Sequence, residues 1–255
     1  MKLSSVKQTI LLISDVHQDI EKVRYLLKKE NYDIVVSLGD WFDSRHKNSE
    51  KDTEDTCKFI KEWIFKPNFF TCMGNHDIQY FYGNPATICT GYNSKRDLAI
   101  TKMFGSAMPA IREKFLWYLW VDDFFCSHAG LNPVFLNPFQ EITKSAITKW
   151  LDDQIKIAEP SLINNGIHWL FGVGKGRGGR QRAGGLTWNC FESEFQPIDG
   201  LKQLVGHTNH STIVTNVENG NLDLTEAQNL DIDCHLNEYV MIFNGKLTIK
   251  KFSDL

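Results

Sequence analysis

Thr9–Ser14 is a short apolar run closed by an acid, and its β-branched residues predict a buried strand. Asp19–Glu30 places Ile20, Val23, Leu26 and Leu27 at the spacing of an amphipathic helix. Asp33–Leu38 predicts a second buried strand ended by Gly39, and Asp52–Phe65 a second helix. Phe69–Met73 predicts a third strand, stopped by Gly74. The resulting β-α-β-α-β alternation implies a parallel sheet with right-handed crossovers.

The pattern then changes. Phe115–Val121 and Phe124–Ser127 flank Asp122-Asp123 and predict an antiparallel hairpin. Pro138–Ala158 predicts a helix with Pro138 near its start and Ile142, Ala146, Ile147, Trp150 and Leu151 on its apolar face. Gly172–Gly185 is a glycine-rich loop. Strand-like runs follow at Gln203–Val205, Thr212–Val217 and Ile232–Cys234. Tyr239–Phe243 then pairs with Lys246–Lys251 around Asn244-Gly245, a strong hairpin signal. With no repeat and no Pro- or Ser-rich linker, the chain reads as one domain over residues 1–255. The expected class is α/β (α+β), a mixed sheet or two packed sheets with helices outside.

At 255 residues the chain can bury a sizeable core without disulfides. Its 42% hydrophobic, 12% aromatic and 23% charged content excludes a disordered chain. A net charge of −3 gives no basic excess for a nucleic-acid or membrane-surface partner. Apolar runs such as Thr9–Ile13 fall short of the ~18 residues of a spanning helix. Met1–Gln8 carries two lysines, but no small-residue cleavage site follows, so no export signal is expected. The six cysteines form no Cys-x-x-Cys pair and read as reduced thiols in a cytoplasmic protein. Cys72, Cys126 and Cys190 stand in apolar surroundings and are expected to be buried.

The chemistry collects at strand ends. The first strand runs into Asp15-Val16-His17, the second into Gly39-Asp40-Trp41-Phe42-Asp43, and the third into Gly74-Asn75-His76-Asp77. The hairpin strand runs into Ser127-His128 and a later one into Gly206-His207-Thr208. Ligands in α/β folds gather beyond the carboxyl ends of strands. Carboxylate, amide and imidazole donors suit Mn2+, Fe, Zn2+, Ni2+ or Mg2+, with Mn2+ the first expectation. Each motif alone is ordinary turn chemistry; five after five strands point to metal binding. Lys175, Arg177, Arg180 and Arg182 lie in the acid-free Gly172–Gly185 loop, whose seven glycines allow close backbone approach to a ligand.

The order D-x-H, G-D-x-x-D, G-N-H-D, H and G-H-T resembles that of the calcineurin-like metallophosphoesterases. It is most similar to the branch of phosphoprotein phosphatases and bacterial dinucleoside-tetraphosphate hydrolases. The resemblance spans residues 9 to about 210. It implies a β-sandwich of two mixed sheets flanked by helices, with two divalent metals at the strand ends. By motif, Asp15 and His17 hold the first metal, Asp40 bridges both with its two oxygens, and Asn75, His128 and His207 hold the second, the neutral Asn75 adding no negative charge where phosphate docks. His76 is implied as proton donor and Asp77 as the acid that orients it. Arg177, then Arg182, matches the stretch that delivers a substrate arginine, and Arg45 is a further candidate clamp. The pattern departs in three places. Arg45 stands one position late after Asp43, Gln18 replaces an expected glycine, and His210 falls one position late for a second ligand of the first metal.

The expected activity is therefore two-metal phosphoester hydrolysis, with a metal-bridging hydroxide attacking phosphorus in line. A Ser/Thr-type phosphoprotein phosphatase comes first, and a nucleotide or dinucleoside-polyphosphate hydrolase is the alternative. An inactive scaffold comes last, because Asp40, Asn75 and His76 are all intact. The expected partner is a phosphorylated substrate. Trp41, Trp169 and Trp188 are candidates to stack a nucleobase, though core or rim packing is the simpler expectation. His46, His168 and His235 belong to no motif.

Overall fold

The computed structural model describes residues 1–136, 141–215 and 228–255. One six-stranded sheet runs in the order β12 (Lys246–Lys251), β11 (Glu238–Phe243), β2 (Thr9–Ile13), β3 (Ile34–Ser37), β4 (Phe69–Cys72) and β5 (Phe115–Leu116). Its members β2 to β5 are parallel, and β11 joins antiparallel to β2 and β12. The second runs β1 (Lys2–Leu3), β6 (Leu119–Val121), β7 (Phe124–Cys126), β8 (Lys202–Val205), β10 (Asn229–Asp231) and β9 (Val214–Thr215).

The period of two along each strand sorts its side chains between two cores. Ile10 and Leu12 of β2, Val36 of β3 and Val240 of β11 face Leu119, Val121 and Leu204 of the other sheet. Leu11, Ile13 and Val35 point the opposite way, into a larger core built with the helices. These are α1 (Ile20–Lys29), α2 (Glu50–Trp63), α3 (Asn75–Tyr82), α4 (Ser94–Phe104), α5 (Met108–Arg112) and α6 (Lys144–Ile163). The expected sandwich of two mixed sheets flanked by helices is the observed architecture. Among the described residues no helix is long and apolar enough to cross a membrane.

Two strand expectations are corrected. Phe115–Val121 is not one strand. Phe115–Leu116 ends one sheet and Leu119–Val121 pairs with Phe124–Cys126 in the other, so the chain changes sheets at Trp117-Tyr118. Ile232–Cys234 lies beyond the end of β10, outside any strand, where the Asp233 N–H donates to Asp231 Oδ1. The middle helix begins at Lys144, with Thr143 as its N-cap, and Pro138 lies outside the described residues. Val214–Thr215 is the described part of the Thr212–Val217 run. Cys72, Cys126 and Cys190 are buried, as expected.

Candidate metal centre

Five strands end within three residues of a motif residue. β2 leads to Asp15 and His17, β3 to Asp40, β4 to Asn75, β7 to His128 and β8 to His207. The strands belong to both sheets, so the sandwich edge gathers side chains separated by as much as 192 positions. The backbone is strained there. Asp15, His17, Asp40, Asp43 and His207 all have positive φ, between 43° and 76°. Non-glycine residues rarely adopt this region, and such strain clusters at functional sites. The turns also approach too closely for a side chain. A Cβ on Gly74 would lie 2.0 Å from Asp40 Oδ1, and one on Gly206 2.3 Å from Asp15 Oδ2.

Hydrogen bonds aim the donors. The Asp15 Oδ2 accepts from the Ser14 hydroxyl and from the His207 N–H at 3.1 Å, leaving Oδ1 toward His17 Nε2 at 3.9 Å. The Asp40 Oδ1 accepts the His76 N–H at 2.9 Å. Its Oδ2 faces both His17 Nε2, at 3.8 Å, and His128 Nε2, at 3.5 Å. One oxygen of Asp40, rather than the expected two, therefore looks into both halves of the site. Asn75 Oδ1 lies 2.9 Å from His128 Nε2 and 2.9 Å from His207 Nδ1. Two groups of donors each fall within 4.8 Å: Asp15, His17 and Asp40, and Asp40, His128 and His207.

These residues fit a pair of cations. His17 Nδ1 is 2.9 Å from the Phe42 carbonyl and His128 Nδ1 2.9 Å from the Leu38 carbonyl, so both must donate there. A neutral ring then carries only a lone pair on Nε2. In His128 that lone pair faces the amide oxygen of Asn75 with no proton between them. In His17 it faces two carboxylates across a gap too long for a hydrogen bond. A carbonyl-oriented imidazole with its other nitrogen turned to carboxylates is a metal-ligand arrangement. Burial keeps the rings neutral, pushing His17 and His128 down to about 3 and His207 well below its usual range. Burial likewise pushes Asp15 up to about 6, and burial with the Asp15 charge raises Asp40.

Asp77 does not orient His76. Its carboxylate accepts the N–H groups of Gly74, Asp40 and Trp41 at 3.0, 2.9 and 2.8 Å, tying the start of α3 to the Asp40 turn. The acid at His76 is Asp43, with Oδ2 3.1 Å from His76 Nδ1. Asp43 is buried and also accepts from Gln79, Tyr80 and Arg96. The second Asp of G-D-x-x-D was the available signal for it; nothing in the sequence pointed to Arg96.

The other candidates divide. Arg177 Nη2 reaches the His207 carbonyl at 3.3 Å and Thr208 Oγ1 at 3.2 Å, at the rim of the site. Arg182 and Arg45 are exposed, as Arg177 is, and do not share its contacts with His207 and Thr208. Glu194, outside the acid-free loop, fastens it by accepting from Gly176, Gly184 and Cys190 N–H groups at 2.6, 3.0 and 3.3 Å. His210 turns to Asp231 and Glu192, at 3.8 and 3.6 Å, and joins neither donor group. Trp41 is buried, with its indole N–H on Thr71 Oγ1, and Trp169 stacks on Phe135. Trp188 meets His207 edge-on at 5.4 Å.

Two packed mixed sheets with carboxylate, amide and imidazole donors at their strand ends are the architecture of a metal-dependent phosphoesterase. The chain belongs to the calcineurin-like phosphoesterase family, whose model matches residues 8–210. A cold-active protein-tyrosine phosphatase from a psychrophilic Shewanella has a similar structure. Its TM-score is 0.61 at 16% identity, covering 100% of this chain and 80% of that one. A Saccharomyces cerevisiae protein serine/threonine phosphatase gives 0.54 at 14% identity, covering 99% and 82%. A protein described as a candidate diadenosine tetraphosphatase gives 0.53 at 12%, covering 98% and 96%. No curated protein sequence matches the chain. At these identities the structures share the fold.

Proposed function

We propose that the protein is a phosphoprotein phosphatase-like monoesterase acting on alkyl phosphates such as phosphoserine and phosphothreonine. Asp15, His17 and Asp40 would hold one divalent cation, and Asp40, Asn75, His128 and His207 the other. The oxygen and nitrogen donors suit Mn2+. When bound, such a pair supplies Lewis acidity to the phosphoryl oxygens and a water of lowered pKa.

The chain's own residues do the rest. The Arg177 guanidinium presents a fork of N–H donors to phosphate oxygens. His76, as the imidazolium whose Nδ1–H donates to Asp43, presents Nε2–H to the departing oxygen. It delivers that proton to the leaving alkoxide, so an alcohol departs and the ring is left neutral with its Nδ1–H still on Asp43. Asp77 and Gly74 keep the Asp40 turn in place.

The Asp43–His76 contact is the observation that carries the alkyl-ester reading. A serine alkoxide is strongly basic and leaves with a proton, whereas a nucleotide phosphate leaves as a stable anion with little need of one. The half-buried Trp188 beside His207 is the feature that favours the nucleotide alternative. Six unpaired cysteines support a reducing compartment. The test is kcat/KM of the Mn2+-loaded protein on phosphoserine peptides beside dinucleoside tetraphosphates. Preference for the peptides is expected, and preference for the dinucleotides overturns the reading.

A further inference from the structure

His76 has a second neighbour that phosphoester hydrolysis leaves without a task. Cys89 lies half-buried between exposed Ile88 and Thr90. Its Sγ is 3.5 Å from His76 Nδ1, which is itself 3.1 Å from Asp43 Oδ2. A carboxylate oxygen, an imidazole nitrogen and a thiol sulfur thus fall within 4.8 Å of one another. Tetrahedral zinc with bonds of about 2.3 Å to sulfur and about 2.1 Å to nitrogen and oxygen separates its ligand atoms by about 3.4–3.6 Å. The two contacts at Nδ1 are close to those edges.

We propose that Asp43, His76 and Cys89 form a third cation site, selective for thiophilic ions such as Zn2+ and Cd2+, whose occupation inhibits the enzyme. Selectivity follows from the donors. The two strand-end groups offer oxygen and nitrogen only, while this one adds sulfur, which soft ions prefer. The carboxylate is already oriented, because Tyr80 and Arg96 hold Asp43 Oδ1 and leave Oδ2 to His76 and Gln79. Binding displaces the thiol proton of Cys89 to solvent and forms the metal–sulfur bond. His76 contributes the Nδ1 lone pair with its proton on Nε2, and water completes the coordination. No oxidant or reductant is required.

The inhibition rests on the role proposed for His76; the binding does not. With the ion in place, Nδ1 is taken from Asp43, and the ring can no longer become the cation that exchanges a proton with the leaving group. His76 is only partly shielded, so the ion can enter from solvent.

Cadmium is the probe. The Mn2+-loaded protein should show an ultraviolet thiolate-to-cadmium charge-transfer band saturating at one equivalent, and Cys89→Ala should lack it. The other five cysteines are buried, so Cys89 is the accessible thiol. Cys89→Ser is the second variant should alanine disturb folding, and it too should lack the band. Zinc should lower wild-type turnover of an alkyl phosphate about 10²-fold, the scale of a lost general acid. Both variants, each normalised to its own zinc-free rate, should resist it. A missing wild-type band, a band that survives in both variants, or equal zinc inhibition of all three proteins overturns the proposal. An enzyme that prefers dinucleotides fails the earlier reading alone, because the band is recorded without substrate.

Discussion

His76 Nδ1 lies 3.1 Å from Asp43 Oδ2, while the adjacent Asp77 spends its carboxylate on three backbone N–H groups. The two acids therefore fail differently when neutralised. Asp43→Asn should behave like His76→Ala in catalysis, with metals retained and activity on alkyl phosphates down about 10²–10⁴-fold, and should also cost stability because buried Arg96 loses its carboxylate partner. Loss on p-nitrophenyl phosphate, which expels a stabilised phenolate, should be distinctly smaller. Asp77→Asn should lower stability and metal content and reduce both substrates in parallel. Equal losses on both substrates in Asp43→Asn, with metal retained, would remove the general-acid role.

The same contrast separates what the sequence makes legible from what only the fold brings together. The strand-end motifs were legible because each begins within three positions of an apolar strand, so local pattern and local chemistry coincide. The partner of His76 was not, because Asp43 meets it across 33 positions and Arg96 meets Asp43 across 53. Glu194 was hidden similarly, reaching back 18 positions to Gly176. Phe115–Val121 reads as one strand because the hydrophobic run is unbroken where the chain crosses between sheets. Burial on both sides of that crossing erases the polar break that would mark it.

Asp40 and Gly74 make a second test. Asp40→Asn removes the charge from the oxygen that faces both donor groups, so metal and activity should fall together. Gly74→Ala should do the same from outside the donor set, since its Cβ would fall 2.0 Å from Asp40 Oδ1 and 2.4 Å from Asp40 N. A cost of about 1–3 kcal/mol in stability is expected from the overpacking. Elemental analysis of both variants beside the wild type, in which two ions per chain are expected, provides the check. Full metal occupancy in Gly74→Ala would show that the turn can yield.

For Arg177 the expected loss on alanine substitution is about 2–4 kcal/mol of transition-state stabilisation, read in kcat/KM. Arg177→Lys should recover only part, because an ammonium cannot present the planar fork. Arg182 and Arg45, which do not share the contacts of Arg177 with His207 and Thr208, should tolerate alanine. Wild-type kcat/KM in Arg177→Ala with a loss in Arg182→Ala would transfer the role within the loop.

The last prediction concerns the protein stripped of metal. Burial pushes Asp15 up to about 6, and burial with the Asp15 charge pushes Asp233 up to about 8, whereas the unfolded chain releases both protons near the ordinary carboxylate pKa of about 3.9. His17, His128 and His207 act in the opposite sense below about pH 6.5, where the unfolded chain protonates imidazoles that burial keeps neutral in the fold. Above about pH 6.5 both states hold these rings neutral, while the folded state still holds carboxyl protons that the unfolded state has lost. Unfolding then releases protons, and stability falls as pH rises, until about pH 8 where Asp233 ionises. Cations at the donor groups substitute for the proton on Asp40, which burial and the Asp15 charge hold above the usual carboxylate range, so Mn2+ should remove part of the slope. The stabilisation by Mn2+, measured as the Tm difference between metal-loaded and chelator-treated protein, should therefore widen from about pH 6.5 to about pH 8. A chelator-treated Tm that rises across this window would mean that these carboxylates are ionised in the metal-free fold. The cation pair would then be dispensable for holding the strand ends together.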